Sequence, residues 1–159
     1  MPFWLTNLLI VLATVAAMEL TATLVHRHIM HGWGWGWHKS HHEPRTGWFE
    51  RNDLYALVFA AISILCFGPL TYLVWPGFWW IGLGMVVYGI LYSLLHDGLV
   101  HRRFPAGPVP RAGYLKRLLQ AHRLHHAVQG REGCVSFGFL YAPPVDALRR
   151  KLRETGGLP

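Results

Sequence analysis

Residues 26–42 read HRHIMHGWGWGWHKSHH. Six of the chain's eleven histidines fall in these seventeen residues, at the foot of a long apolar run. Further along the chain the pattern returns. His26 and His31 are five apart, and so are His96 and His101. His38, His41 and His42 form an H-x-x-H-H group, and His122, His125 and His126 form another. Ten of the eleven histidines thus make two copies of a pair plus a triplet, and only His28 stands outside the pattern.

Residues i, i+3 and i+4 share one face of an α-helix, so each triplet can aim three imidazoles at one volume. Five residues turn a regular helix by about 500°, which leaves the partners of each pair roughly 140° apart. The pairs converge only where a helix ends or loses regularity. Ten imidazoles are too many for one ion: zinc takes four ligands, or three plus water when catalytic. Two octahedral ions with open positions would use about nine or ten. All-imidazole ligation suits Fe, Cu, Zn or Ni better than Mg or Ca. The zinc-protease string H-E-x-x-H is absent, and no Asp/Glu pair stands in helical register with the histidines as in a carboxylate-bridged di-iron bundle. The spacing therefore predicts a histidine-rich dimetal site.

The rest of the chain predicts where that site sits. Just over half of the 159 residues are apolar and only 14% are charged, a balance foreign to a soluble domain of this length. One domain, residues 1–159, is expected. Phe3 to Val25 is an apolar run of 23 residues with one ionisable group, Glu19. About 20 such residues cross a bilayer as a helix. No Lys or Arg precedes Arg27, so the run reads as a retained membrane helix and not as a signal peptide. Residues 54–75 form a second run without a charge, with Pro69 inside it, and residues 78–95 a third. Pro76-Gly77 turns the chain between them. Gly82, Gly84 and Gly89 in the third run would let neighbouring helices come close. All fifteen Lys and Arg lie within residues 27–51 or 102–153. By the positive-inside tendency the N-terminus faces out, and the histidine segments 26–42 and 96–126 face the cytoplasm. The expectation is an all-α integral membrane protein of three transmembrane helices under a cytoplasmic helical cap. Cys134 to Tyr141 is apolar but too short to span, so residues 133–144 are a candidate fourth membrane element at the interface. From Leu148 the tail reads as basic and then flexible. Cys66 and Cys134 belong to no C-x-x-C pattern, which fits a reducing, cytosol-facing chain.

Other residues have weaker claims. A carboxylate in a membrane helix is costly and marks a functional site by default. Glu19 lies two turns before His26, where it can orient His26 or His31 through a hydrogen bond or simply bond to a neighbouring helix. Asp97 beside His96 and, more weakly, Asp53 have the same claim. Trp33, Trp35 and Trp37 suit an interfacial belt or a substrate entrance. His28 reads as polar surface. Pro44 should stop the helix that carries the first triplet near Glu43.

The strings HIMHGWGWGWHKSHHEPR, FERNDLYA, HDGLVHRRFP and AHRLHHA, with GCVSFGFL after them, resemble the membrane-bound fatty-acid hydroxylase and desaturase superfamily. Box spacing alone points to the superfamily, while the words between the boxes resemble its bacterial β-carotene 3-hydroxylases. The resemblance runs from about Glu19 to Pro144. It implies a non-haem di-iron centre that uses O2 and two electrons to hydroxylate carbon 3 of each β-ionone ring, taking β-carotene to β-cryptoxanthin and zeaxanthin. It implies reduced ferredoxin as electron donor and the inner membrane as location. Matched by position, the metal ligands are His26, His31, His38, His41, His42, His96, His101, His122, His125 and His126. No haem, flavin or iron–sulfur motif supplies electrons from within. Sister chemistries on the same centre are a ketolase, a desaturase and a lipid or sterol hydroxylase. A membrane metal carrier would need polar residues along its spans, which hold only Glu19 and scattered Ser, Thr and Asn. No nucleic-acid partner is expected.

Overall fold

The computed structural model describes residues 2–105 and 107–157, and these form helices and irregular segments with no strand among them. In chain order the α-helices are α1 (Phe3–Leu24), α2 (Trp35–His42), α3 (Asp53–Cys66), α4 (Pro69–Val74), α5 (Gly77–Tyr92), α6 (Gly113–His125) and α7 (Val145–Glu154). α1 and α5 do not stop at Leu24 and Tyr92: each continues into π-helical turns, Val25–Trp33 and Ser93–Val100. The continuous helices Phe3–Trp33 and Gly77–Val100 are both long and apolar enough to cross a membrane.

α5 is the central element, packed by α1 on one side and α3 on another. The glycines make this possible. A Cβ on Gly84 would lie 2.5 Å from Thr14 Cβ and 3.0 Å from the Val11 carbonyl oxygen, so α1 and α5 touch there backbone to side chain. A Cβ on Gly82 would meet Cys66 Cβ at 2.9 Å, whereas Gly89 faces open space. Close approach is thus met at two of the three expected positions. The outward faces of these helices carry exposed Leu8, Leu12, Leu57, Leu65, Leu73 and Ile90, while eight of the ten patterned histidines are buried. Apolar outside and polar inside is the inverse of a soluble protein and suits a hydrocarbon solvent.

The second apolar run, expected as one membrane helix over residues 54–75 that tolerates Pro69 with a kink, is two helices. It is broken into α3 and α4 at Phe67-Gly68, with Pro69 opening α4. Proline lacks the N–H that would continue the ladder, and its ring clashes with the carbonyl one turn back. The Thr71 hydroxyl lies 3.0 Å from the Cys66 carbonyl oxygen and 2.7 Å from that of Gly68, covering the gap. At a rise of 1.5 Å per residue, α3 alone is about 21 Å long, short of a bilayer core.

Residues 133–144, the candidate fourth membrane element, form no helix. Cys134, Val135, Phe139 and Ala142 are buried inside the protein, and the segment stays irregular up to α7. The basic part of the tail is helical, α7 running to Glu154, and Leu158 and Pro159 lie outside the described residues. Leu148 and Leu152, one turn apart, close on Leu118 and Ala121 of α6. Their i, i+4 spacing among basic residues is the amphipathic signal of a surface helix. Cys66 and Cys134 are free, as expected.

Candidate metal centre

His26, His31 and His96 lie in the π-helical continuations of the two long helices, and His101 caps the second of them. There the His101 N–H donates to the His96 carbonyl, five residues back, at 2.9 Å, and Gly34 N–H donates to Ile29 at the same distance. This i→i+5 bonding widens the turn, so residues five apart come to one face where an α-helix would splay them. The chain then kinks at Gly32 (φ −106°, ψ −127°) and starts α2, whose last turn carries His38, His41 and His42. α2 ends at Glu43, which is extended before Pro44, as expected. α6 presents His122 and His125 in its last turn, with His126 just beyond.

The ten imidazoles meet as two groups of five. In the first, Nε2 of His26 and of His38 are 3.0 Å apart, those of His31 and His125 3.2 Å, and those of His38 and His42 3.3 Å. In the second, the Nε2 pairs are His41–His96 at 3.0 Å, His101–His122 at 3.0 Å and His122–His126 at 2.9 Å. Each group takes one five-spaced pair whole and the outer two members of one triplet. The middle members cross: His125 of the second triplet joins the first group, and His41 of the first triplet joins the second. His42 and His126 stack at 4.5 Å where the groups adjoin.

The Nδ1 atoms explain why those Nε2 contacts call for a cation. His26, His31, His42 and His125 each place Nδ1 2.9–3.0 Å from a backbone carbonyl oxygen, those of Phe137, Arg131, Val128 and Val135. His38 Nδ1 lies 2.7 Å from Asn52 Oδ1, His41 Nδ1 3.1 Å from Glu50, and His96 Nδ1 2.8 Å from Asp97. Oxygens of this kind accept and do not donate, so seven rings carry their proton on Nδ1 and a bare lone pair on Nε2. Lone pairs at 3 Å repel unless a positive ion lies between them. Two nitrogens bound at about 2.1 Å on adjacent octahedral positions are themselves about 3.0 Å apart, the observed spacing. The residues present therefore fit metal ions, one per group. The two groups are wired differently. The first rests on four carbonyls and an amide, the second on the carboxylates of Glu50 and Asp97.

Burial keeps these rings neutral. It pushes His38 down to about 3, His42 and His101 to about 4, and His126 to about 2, with neighbouring imidazoles adding to the effect. His122 and His125 are also lowered well below their ordinary value, again chiefly by burial. In the unfolded chain all would titrate near 6.5. As pH falls from 6.5 toward 4, the unfolded chain takes up protons that the folded site refuses, so stability is lost over that window and is flat above it. Thermal unfolding of the detergent-solubilised, metal-free protein should show a midpoint that is level from pH 8 to 7 and clearly lower by pH 5. Bound metal adds to the same trend, since protons compete for the lone pairs. Cys134 Sγ lies within 4.8 Å of ligand atoms of His42 and His125, and burial pushes its thiol up to about 11.

The other expected residues divide. Asp97 bonds His96 as expected. Asp53 does not reach an imidazole: it pairs with both Nη atoms of Arg103 at 2.7 Å and accepts the Glu50 backbone N–H at 2.9 Å, holding the turn that presents Glu50. Glu19 bonds neither His26 nor His31; its partners are Tyr88 and the backbone N–H groups of Phe139 and Tyr141. His28 is exposed. Trp33 and Trp37 are exposed as an interfacial belt requires, but Trp35 packs on His31, His38 and His42 and so belongs to the cluster wall. Glu50 and Asn52 were not singled out from sequence. Their one signal is a polar stretch, Glu50 to Asp53, abutting an apolar helix.

A cavity of about 350 Å³ lies between α1, α3 and α5. Its walls are apolar, with Met18, Phe59, Ala60 and Met85 among them, and its lining also includes Asn52, Asp97, Tyr92 and Phe139. Asn52 and Asp97 hold ligand rings of both groups. Tyr92 stacks on His96 at 4.5 Å and Phe139 on His26 at 5.2 Å. A second opening, lined by His41, His101, His122, His126 and Arg123, exposes ligand rings directly.

Comparison with known proteins bears on what this arrangement does. Residues 11–149 match the fatty acid hydroxylase family. The chain is 63% identical over 157 residues to a protein of Pantoea ananas named beta-carotene hydroxylase, covering 97% of this chain and 87% of that one. It is 60% identical to the beta-carotene hydroxylase of Paracoccus sp. (strain PC1), over 97% and 95% of the two chains. It is 41% identical to beta-carotene 3-hydroxylase 1, chloroplastic, of Arabidopsis thaliana, over 88% of this chain and 44% of that longer one. No solved structure matches. The chain belongs to the fatty acid hydroxylase family, and within it resembles proteins named beta-carotene hydroxylase.

Proposed function

We propose that the chain is a single-domain membrane hydroxylase that places a hydroxyl group on carbon 3 of the β-ionone ring of β-carotene, giving β-cryptoxanthin and then zeaxanthin. The reaction class and substrate are those named for relatives 60–63% identical over almost the whole chain. The single structural observation that carries the chemistry is the meeting of ten imidazoles in two groups through their Nε2 atoms, beside an apolar cavity.

His26, His31, His38, His42 and His125 would hold one iron, and His41, His96, His101, His122 and His126 the other. Iron bound there supplies the activation of O2 that an unreactive ring C–H requires and that no side chain offers. In the net reaction one C–H becomes C–OH, and O2, two electrons and two protons yield one water besides the alcohol. The chain's own residues do the rest. The apolar walls bind one end of a wholly apolar substrate and exclude water. Tyr92 and Phe139 form the partition between the cavity and the imidazoles. Asn52, Glu50 and Asp97 fix the rings that face the ions. A small reduced ferredoxin, approaching the basic side of the chain, supplies the electrons.

The placement of Lys and Arg supports a location in the inner membrane, N-terminus out and metal site cytoplasmic. On this reading α3 and α4 together make the second of the three crossings, bent at Pro69.

The test is product analysis in a host that makes β-carotene. Expression should convert it to β-cryptoxanthin and zeaxanthin, identified by mass and absorption. Accumulation of keto-carotenoids alone would assign a ketolase instead.

A further inference from the structure

Glu19 is the one ionisable side chain in the first apolar run, and the metal reading leaves it without a task. Its Oε1 accepts the backbone N–H groups of Phe139 and Tyr141, both at 2.9 Å, and its Oε2 accepts the Tyr88 hydroxyl at 2.9 Å. A membrane-helix carboxylate thus has three donors, two of them from a stretch 120 residues away in sequence.

That stretch needs an external acceptor. Residues 134–140 are buried or half-buried, and with Tyr141 they are neither helix nor strand, so their N–H groups find no ladder partners. The same stretch supplies two of the carbonyls that wire the first histidine group: Val135 accepts from His125 and Phe137 from His26, each at 2.9 Å. Ser136, between them, is held at φ +58°, a left-handed backbone that non-glycine residues seldom adopt, so surrounding contacts must enforce it. Gly138 lies against the carboxylate itself: a Cβ there would fall 2.7 Å from Glu19 Oε1 and 2.9 Å from the Tyr141 carbonyl oxygen.

We propose that Glu19 is a positioning residue for the first histidine group. It latches residues 137–141 to α1 and α5, so that the Val135 and Phe137 carbonyls hold His125 and His26 with their Nε2 lone pairs toward the ion. The proposal rests on the reading of the ten histidines as metal ligands. The latch works by acceptance of hydrogen bonds and not by charge. Glutamine can turn its carbonyl to the two N–H groups and its NH2 to the Tyr88 oxygen, whereas leucine offers nothing. The second group keeps its carboxylate supports, Glu50 and Asp97, which lie elsewhere, and meets this stretch through the Phe139 ring, which packs on His96 and His122.

The experiment compares the wild-type, Glu19→Gln, Glu19→Leu and Gly138→Ala proteins, purified in detergent and loaded with ferrous iron. Iron per chain and hydrogen exchange of the 134–141 amides are measured on each. Glu19→Gln should keep wild-type iron and slow exchange. Glu19→Leu, an apolar change that membrane insertion favours, should fall to about half the wild-type iron with faster exchange confined to 134–141. Gly138→Ala keeps Glu19 but crowds it, and should show the same loss; it decides the matter if Glu19→Leu does not fold. Full iron with slow exchange in Glu19→Leu and Gly138→Ala would overturn the latch. So would Glu19→Gln behaving like Glu19→Leu, since charge would then be the requirement. A wild-type protein that binds no iron would overturn the ligand reading first, and the latch with it.

Discussion

His125→Ala should abolish hydroxylation, by at least about 100-fold, and should empty the group that His26 and His31 begin, not the group nearest His125 in sequence. His41→Ala should do the converse, emptying the group that His96 and His101 begin. The expectation follows from the crossing of the middle triplet members, each of which stands on the same helix as its two neighbours yet faces the other set. His125 is wholly buried, with Nε2 3.2 Å from that of His31, so alanine leaves both a missing ligand and a polar cavity. The double variant His31→Ala with His125→Ala should bind as much iron as either single variant, because both remove the same site. His41→Ala with His125→Ala should bind almost none. Iron per chain, read on the three single and two double variants, separates this arrangement from one in which each triplet serves its own ion.

Ala60→Trp should reduce hydroxylation roughly 10-fold or more while bound iron stays at the wild-type level. Ala60 lines the cavity but touches no ligand ring, and an indole there occupies space that the substrate ring needs. The substrate is apolar throughout, so its affinity depends on that space and the area it buries, with no polar handle to compensate. Loss of iron along with activity would mean that the change had disturbed α3, which carries Asn52 and Asp53 at its start. Unchanged activity would place the substrate elsewhere, such as at the opening beside Arg123.

Much of this arrangement was legible because histidine spacing is a local, periodic signal. The ten patterned residues are those that meet, His28 is outside, and Asp97 bonds His96. What spacing hid was non-local or backbone in origin. The five-spaced pairs looked splayed by roughly 140° on a regular helix, and only π-helical turns resolve that. Four of the seven acceptors that orient the rings are main-chain carbonyls, which leave no side-chain signature. Glu19 bonds neither His26 nor His31; it meets the neighbouring helix through Tyr88, which was its other reading, and its remaining partners, residues 139 and 141, are too distant in sequence for spacing to show. Hydropathy alone merged α3 and α4, because Pro69 lowers the average very little while ending the helix outright.

The most direct test of the account is the iron content of the purified, active protein, measured against chain concentration in the same preparation whose carotenoid products are analysed. Two irons per chain are predicted, one for each histidine group. Full hydroxylating activity with a single metal per chain, or with zinc alone, would contradict it.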